Sequence, residues 1–177
     1  YCVCQRMSNY ENMKRQMQKE FVKYDQEKMI EKFQLPSDAE YLYIKFLGHT
    51  YRIDRSGGEV SWSDDNFMHV NEADYNEAMT IYDVLCYSKE HCKSSGEFVN
   101  MQSLSSIQGG SLPVGNGLFQ EIEKIFDHED ERLARACESL KGTKMEKGDV
   151  AYQIPMFDFL PMVIRFWNSD EDFPASL

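Results

Sequence analysis

Three consecutive carboxylates, Asp170-Glu171-Asp172, follow the apolar run that ends Arg165-Phe166-Trp167-Asn168-Ser169, and Phe173-Pro174 comes directly after them. Oxygen ligands at this density suit a hard cation such as Mg²⁺. A metal-assisted hydrolase or transferase could be built on them, with His128 as proton carrier. The same carboxylates have a plainer use. Strand alternation puts Val163, Arg165 and Trp167 on one face, so Arg165 either reaches a sheet edge or is clamped by Asp170 or Asp172. Runs of carboxylates are commonly solvated surface, and the clamp or a plain turn carries more weight than a metal.

Cys86, His91 and Cys92 are close enough for zinc, yet no second paired motif completes the four ligands that a structural site needs. Packing of Cys86 in an apolar stripe explains it as well. Cys2 and Cys4 lie in residues 1–6, which precede a Met7-Ser8 start and read as a leader or vector-derived segment. Gly109, Gly110, Gly115 and Gly117 stand before a helix, where free N–H groups can hold an anion, but the Lys-Ser/Thr ending of a phosphate loop is missing. His128 sits in Asp127-His128-Glu129-Asp130-Glu131, a composition that suits a helix start, and His49 and His69 stand alone near turns. No Gly-x-Ser-x-Gly elbow, His-Glu-x-x-His helix or dinucleotide glycine fingerprint occurs. The catalytic residues and any cofactor are therefore unassigned.

The elements that must position these groups follow from periodicity. Ser8 and Glu11 form a capping box, and Met13, Met17, Phe21 and Tyr24 repeat at helical spacing, which predicts one helix to about Phe33. Leu42, Ile44 and Phe46 then alternate with Tyr41, Tyr43 and Lys45. Turns at Gly48-His49 and Gly57-Gly58 lead to Tyr51/Ile53 and Val60/Trp62, a three-stranded antiparallel meander. Asn71 is placed to cap a second helix with Tyr75, Ala78, Met79, Tyr82, Leu85 and Cys86 inward. A short strand is predicted at Phe98 to Met101. A third helix places Leu118, Ile122, Ile125 and Phe126 inward, and a fourth does so with Leu133, Ala136, Cys137 and Leu140, ended by a left-handed Gly142. Strands Val150 to Ile154 and Met162 to Trp167, joined by a Pro155 to Pro161 connection, close the chain. This is an α+β pattern, a mainly antiparallel sheet with about four helices packed against it, over residues 7–177 as a single domain.

Length and composition bound the function. At 177 residues, 42 % of them hydrophobic and 13 % aromatic, the chain can bury a core without disulfides or metal. Thirty acidic against nineteen basic residues give a charge of -11, which repels phosphate backbones and anionic lipid. Nucleic acid and membrane are excluded as partners on that ground, which leaves a protein partner or a small molecule. Five cysteines, an odd number without scaffold spacing, fit reduced thiols in a cytoplasm. The most apolar stretch, Ala151 to Trp167, holds Gln153, Asp158, Arg165 and two prolines and is no membrane span. Abundant aromatics without a complete catalytic set favour a non-catalytic binding or accessory domain. Its surface would combine the Tyr41/Tyr43 face with Trp62 or Trp167, beside Arg165.

Phe46-Leu47-Gly48 through Ile53, the helix at Tyr82 to Tyr87, and Pro161-Met162-Val163-Ile164 with Trp167 and Asp170-Glu171-Asp172-Phe173-Pro174 together carry a resemblance. From about Tyr41 onward the chain resembles an uncharacterised prokaryotic family, domain of unknown function 3786. The resemblance implies a cytoplasmic protein of anaerobic bacteria or archaea, some relatives placing a four-cysteine iron–sulfur segment ahead of the domain. By association it implies a link to corrinoid or one-carbon metabolism, and it assigns no catalytic residue. The end at Leu177, soon after the acidic motif, implies that a final strand or helix lies beyond it.

Overall fold

The computed structural model describes residues 9–101 and 119–177. Ser8, residues 1–6 with Cys2 and Cys4, the loop glycines Gly109, Gly110, Gly115 and Gly117, and Leu118 lie outside the described residues. The fold is α+β with a mainly antiparallel sheet, and the described residues form five helices rather than about four, with seven strands. The chain gathers into two compact units, Tyr1–Lys93 and Ser94–Leu177.

The first unit begins with α1 (Asn9–Phe21) and α2 (Gln26–Phe33), two helices where the periodicity predicts one. The amides of Lys23 and Tyr24 bond back only three residues, to Glu20 and Phe21. Asp25 then leaves helical geometry (φ -74°, ψ 99°) and its side chain accepts from the Lys28 amide at 3.2 Å. A new N-cap thus satisfies amides that a continuing helix would have left to the backbone. The buried face of α1 is Lys14, Met17 and Phe21: Met17 and Phe21 are inward as expected, while Lys14 takes the place of Met13, which is exposed with Tyr24.

Strands β1 (Tyr41–Phe46), β2 (His49–Asp54) and β3 (Val60–Ser63) form the predicted meander, and β4 (Asn71–Glu72) extends it, in the order β4-β3-β2-β1. Leu47 and Gly48 both take positive φ (48° and 85°), the two-residue hairpin turn whose twist matches that of the strands it joins. Alternation sends Leu42, Ile44, Phe46, Tyr51 and Ile53 into the core and leaves Tyr41, Tyr43, Thr50 and Arg52 on the other face. Helix α3 (Tyr75–Tyr87) is capped by Asp74, not by Asn71, which is in β4. Asp74 and Glu77 form a reciprocal capping box. Ala78, Ile81, Tyr82 and Leu85 make its buried face. Helices α1 and α3 pack together, with the Phe21 and Tyr82 rings 5.8 Å apart, and the Tyr82 hydroxyl donates to the Gly58 carbonyl.

In the second unit Phe98 to Met101 form no strand, and Phe98, Val99 and Met101 are exposed. Helix α4 (Gln120–Phe126) buries none of its residues, so Ile122, Ile125 and Phe126 are not the inward stripe expected of them. Helix α5 (Asp130–Ser139) buries Leu133 and Cys137 and packs on β6. It ends on Lys141 at φ 63°, while Gly142 is needed for a different reason: a Cβ there would lie 2.6 Å from the Cys137 carbonyl oxygen. Strands β5 (Thr143–Lys144), β6 (Val150–Phe157) and β7 (Leu160–Phe166) pair antiparallel in that order. Pro155 and Pro161 face each other inside this ladder, so the predicted proline connection is hairpin and only Asp158-Phe159 turns the chain. Among the described residues no helix is long and apolar enough to cross a membrane.

Candidate functional site

Pairing of Tyr43 with Arg52 and of Arg52 with Ser61 aligns three side chains across the outer face of β1, β2 and β3. The loop after β3 folds back over this row. Asn66 and Phe67 both adopt φ of 62°, a conformation asparagine tolerates and phenylalanine rarely takes. The turn is held by Ser63, whose hydroxyl donates to Asp65 at 2.6 Å and accepts from the Phe67 amide at 3.0 Å. The result is a guanidinium between two rings: Arg52 Cζ is 4.2 Å from the Tyr41 centroid and 4.5 Å from that of Phe67. Tyr43 lies 5.8 Å from Phe67 and 6.3 Å from Tyr41. The Tyr43 hydroxyl donates to Asp38 at 2.8 Å. That bond, with those from the Glu40 and Tyr41 amides, holds the Asp38 carboxyl below the usual range and raises the Tyr43 phenol.

Trp62 does not join this surface. Its partners in register, Tyr51 and Asn71, put it on the opposite face of the strands. There it stacks against His49 at 4.6 Å, whose Nδ1 meets Asp64 at 2.6 Å.

Trp167, 45 % exposed, opens the acidic motif of the second unit, where its backbone exchanges two hydrogen bonds with Ser176. Arg165 is exposed on β7 and, among the described residues, forms no ion pair with Asp170 or Asp172, so the expected clamp is not made. Asp170 instead accepts from the amides of Asp172 and Phe173 at 2.9 and 2.7 Å, a local turn that uses one of the three carboxylates. Among the described residues no three His, Cys, Asp or Glu side chains converge as a metal site would require.

The motif is anchored to the connection between α4 and α5. Asn168 accepts from the His128 amide at 2.6 Å and donates to Asp130 at 2.8 Å. The Ser169 hydroxyl donates to Asp127 at 2.6 Å and sits 3.2 Å from His128 Nε2. Serine, histidine and aspartate therefore meet, but in the wrong order for nucleophilic chemistry. A relay needs the carboxylate on the ring nitrogen remote from the serine. Here Asp127 itself accepts the hydrogen bond of the serine hydroxyl and lies 3.7 Å from the same Nε2. The Ser169 hydroxyl and amide hold the Asp127 carboxyl below its ordinary value, which marks a fastening rather than a general base.

Cys86 and His91 both line a concavity of about 520 Å³ between α2 and the end of α3, whose other lining includes Lys28, Met29 and Lys32. Cys92 is exposed and does not line it. Burial, aided by Asp83, pushes the Cys86 thiol up to about 12, so it is neutral at ordinary pH and poor both as a nucleophile and as a metal ligand. Sequence reasoning missed Arg52, Phe67 and Asp38. Alternation already put Arg52 on the Tyr43 face, but Phe67 had no signal, because only the turn brings it back.

Neither curated proteins nor solved structures returned a match. A family model does match, over residues 25–177, beginning at the Asp25 cap of α2 and so earlier than the resemblance from Tyr41. The chain belongs to the family described as Domain of unknown function (DUF3786).

Proposed function

We propose that this chain is a non-catalytic binding domain that docks a protein partner on the Tyr41/Tyr43 face of its first unit. One observation carries the reading: the Arg52 guanidinium held between the rings of Tyr41 and Phe67. Tyrosine and arginine are enriched in binding hot spots, tyrosine because it brings large area at little cost in conformational entropy and arginine because its fork directs several donors at once. Phe67 is held at positive φ by the Ser63 hydroxyl and by the Arg52 and Tyr43 contacts of its ring, and backbone strain of this kind clusters at binding sites. The charge of -11 supports a protein or small molecule as partner over nucleic acid or anionic lipid. The free thiols of Cys86, Cys92 and Cys137 support a reducing, cytoplasmic setting.

A random peptide library displayed on phage and selected against the full chain tests this. Enriched peptides should lose at least about tenfold in affinity for the Tyr41→Ala/Tyr43→Ala double variant, as expected when two anchors are truncated. Peptides that bind the folded double variant as well as the parent would refute the assignment.

A further inference from the structure

Arginines that serve only the fold use up their donors on it. Arg55, three residues beyond Arg52, does so: Nε donates to Gln26 at 3.1 Å, one terminal nitrogen donates to the Asp38 carbonyl at 2.9 Å, and the other pairs with Glu27. Arg52 does not. Its Nε reaches Ser61 Oγ at 3.3 Å, and among the described residues its two terminal nitrogens have neither a hydrogen-bond acceptor nor a carboxylate within ion-pair distance. The reason is visible in the neighbouring acids. Asp54 Oδ1 accepts from the Ser56 amide and hydroxyl and from the Gly57 amide. Both oxygens of Asp38 are taken by the Glu40 and Tyr41 amides and the Tyr43 hydroxyl. The flanking rings and the Ser61 bond fix the orientation of the guanidinium; Asp54, held below its ordinary value first by the Ser56 hydroxyl and last by the Arg52 charge, is near enough to feel that charge but makes no ion pair with the fork. A half-buried cation of fixed orientation with its terminal fork unused is preorganised for one planar, singly charged acceptor.

We infer that Arg52 receives the carboxylate of an Asp or Glu side chain on the protein partner, gripped by the two terminal nitrogens, while a neighbouring apolar side chain of the partner packs on Tyr43 and Phe67. A carboxylate suits this site better than a phosphate, because the second charge of a phosphate would be repelled by Asp38, Asp54 and the chain as a whole. This inference rests on the docking reading above, but the two can fail separately.

The probes are acetyl-Phe-Glu-Phe-amide, its Gln counterpart and inorganic phosphate, each titrated into ¹⁵N-labelled full chain and followed by NMR. The Glu peptide should move the Arg52 Nε–H signal and amides of residues 50–54, saturably. The Gln peptide, and the Glu peptide on Arg52→Lys, should bind at least about tenfold more weakly, since lysine keeps the charge but loses the fork. Unchanged strand amide signals in Arg52→Lys establish that it is folded, and Ser61→Ala serves as a milder second variant with a smaller loss. Equal binding of Glu and Gln peptides that still depends on Tyr41 and Tyr43 overturns the carboxylate and leaves the docking face standing. Binding that needs Arg52 but not the tyrosines does the reverse. No saturable shift at residues 50–54, or tighter binding of phosphate than of the Glu peptide, overturns the inference.

Discussion

Replacing Gly58 by alanine probes the seat on which the Arg52 surface is built. Gly58 has φ 79°, where an L side chain costs about 1–2 kcal/mol. A Cβ there would stand 2.5 Å from the Gln18 carbonyl oxygen and 3.1 Å from both Gln18 C and Cα. All three are backbone atoms of α1, so no side chain can swing aside and the helix or the turn must move, at a further cost of about 1–3 kcal/mol. The sum is about 2–5 kcal/mol. Gly96 supplies the control, with nearly the same φ, 76°, and no atom within 4 Å of its Cβ. Gly96→Ala should cost no more than about 1–2 kcal/mol, offset in part by the stiffer unfolded chain. Urea unfolding followed by circular dichroism measures both, and Gly58→Ala should have the lower midpoint by about 0.5 M or more, given a dependence on urea of about 2 kcal/mol/M. The same turn sets the register that puts Arg52 opposite Ser61, so Gly58→Ala should also shift the Arg52 Nε–H signal. Equal midpoints for the two variants would show that α1 is not seated on this turn, and the reasoning would fail.

Three other outcomes follow from particular contacts. Lys14 is buried, 2.8 Å from Glu72 and 3.3 Å from Glu11. Desolvation lowers its pKa, but bonds and charge from the two glutamates outweigh that and raise it overall, while Lys14 lowers that of Glu72. The Glu72 contribution is present above its ordinary value of 4.5 and lost as pH falls through the lowered folded value; the Lys14 contribution is present below 10.5 and lost as pH rises through the raised one. Glu72→Gln should therefore cost a constant amount between about pH 6 and 10, about 1 kcal/mol or less because Glu72 is largely exposed, and nothing in strong acid. A penalty that persists at pH 2 in urea unfolding would refute the pairing. Among the described cysteines, iodoacetamide at neutral pH should alkylate exposed Cys92 first, with Cys86 slower by orders of magnitude and Cys137 protected until unfolding, as peptide mass mapping would show. Ser169→Ala should speed hydrogen exchange at the His128 amide, which depends on the anchored motif, and leave β2 amides unchanged; unaltered exchange at His128 would show that Ser169 anchors nothing.

Local pattern was enough to reveal the β1–β2 hairpin, the α+β class and part of the buried faces of α3 and α5, though it passed over the fully buried Ile81, because strand alternation, helical spacing and a positive-φ Gly48 each act within a few residues. Only the tertiary structure decided which side chains meet. Lys14 belongs to a buried face because Glu72, 58 residues away, supplies its counter-charge. Pro155 and Pro161 read locally as a connection, yet they tolerate strand geometry where the ladder places them opposite each other. Asp74 won its helix cap from Asn71, and Asp25 capped a helix where periodicity had run straight through, both settled by where the chain had to turn. Tyr41 and Tyr43 were legible as a face, whereas the ring that completes it came from Phe67, swung back by a strained turn. Periodicity records which side of an element a residue occupies. Which distant residue lies across from it is set by register and loop closure, and these depend on the whole chain packing at once.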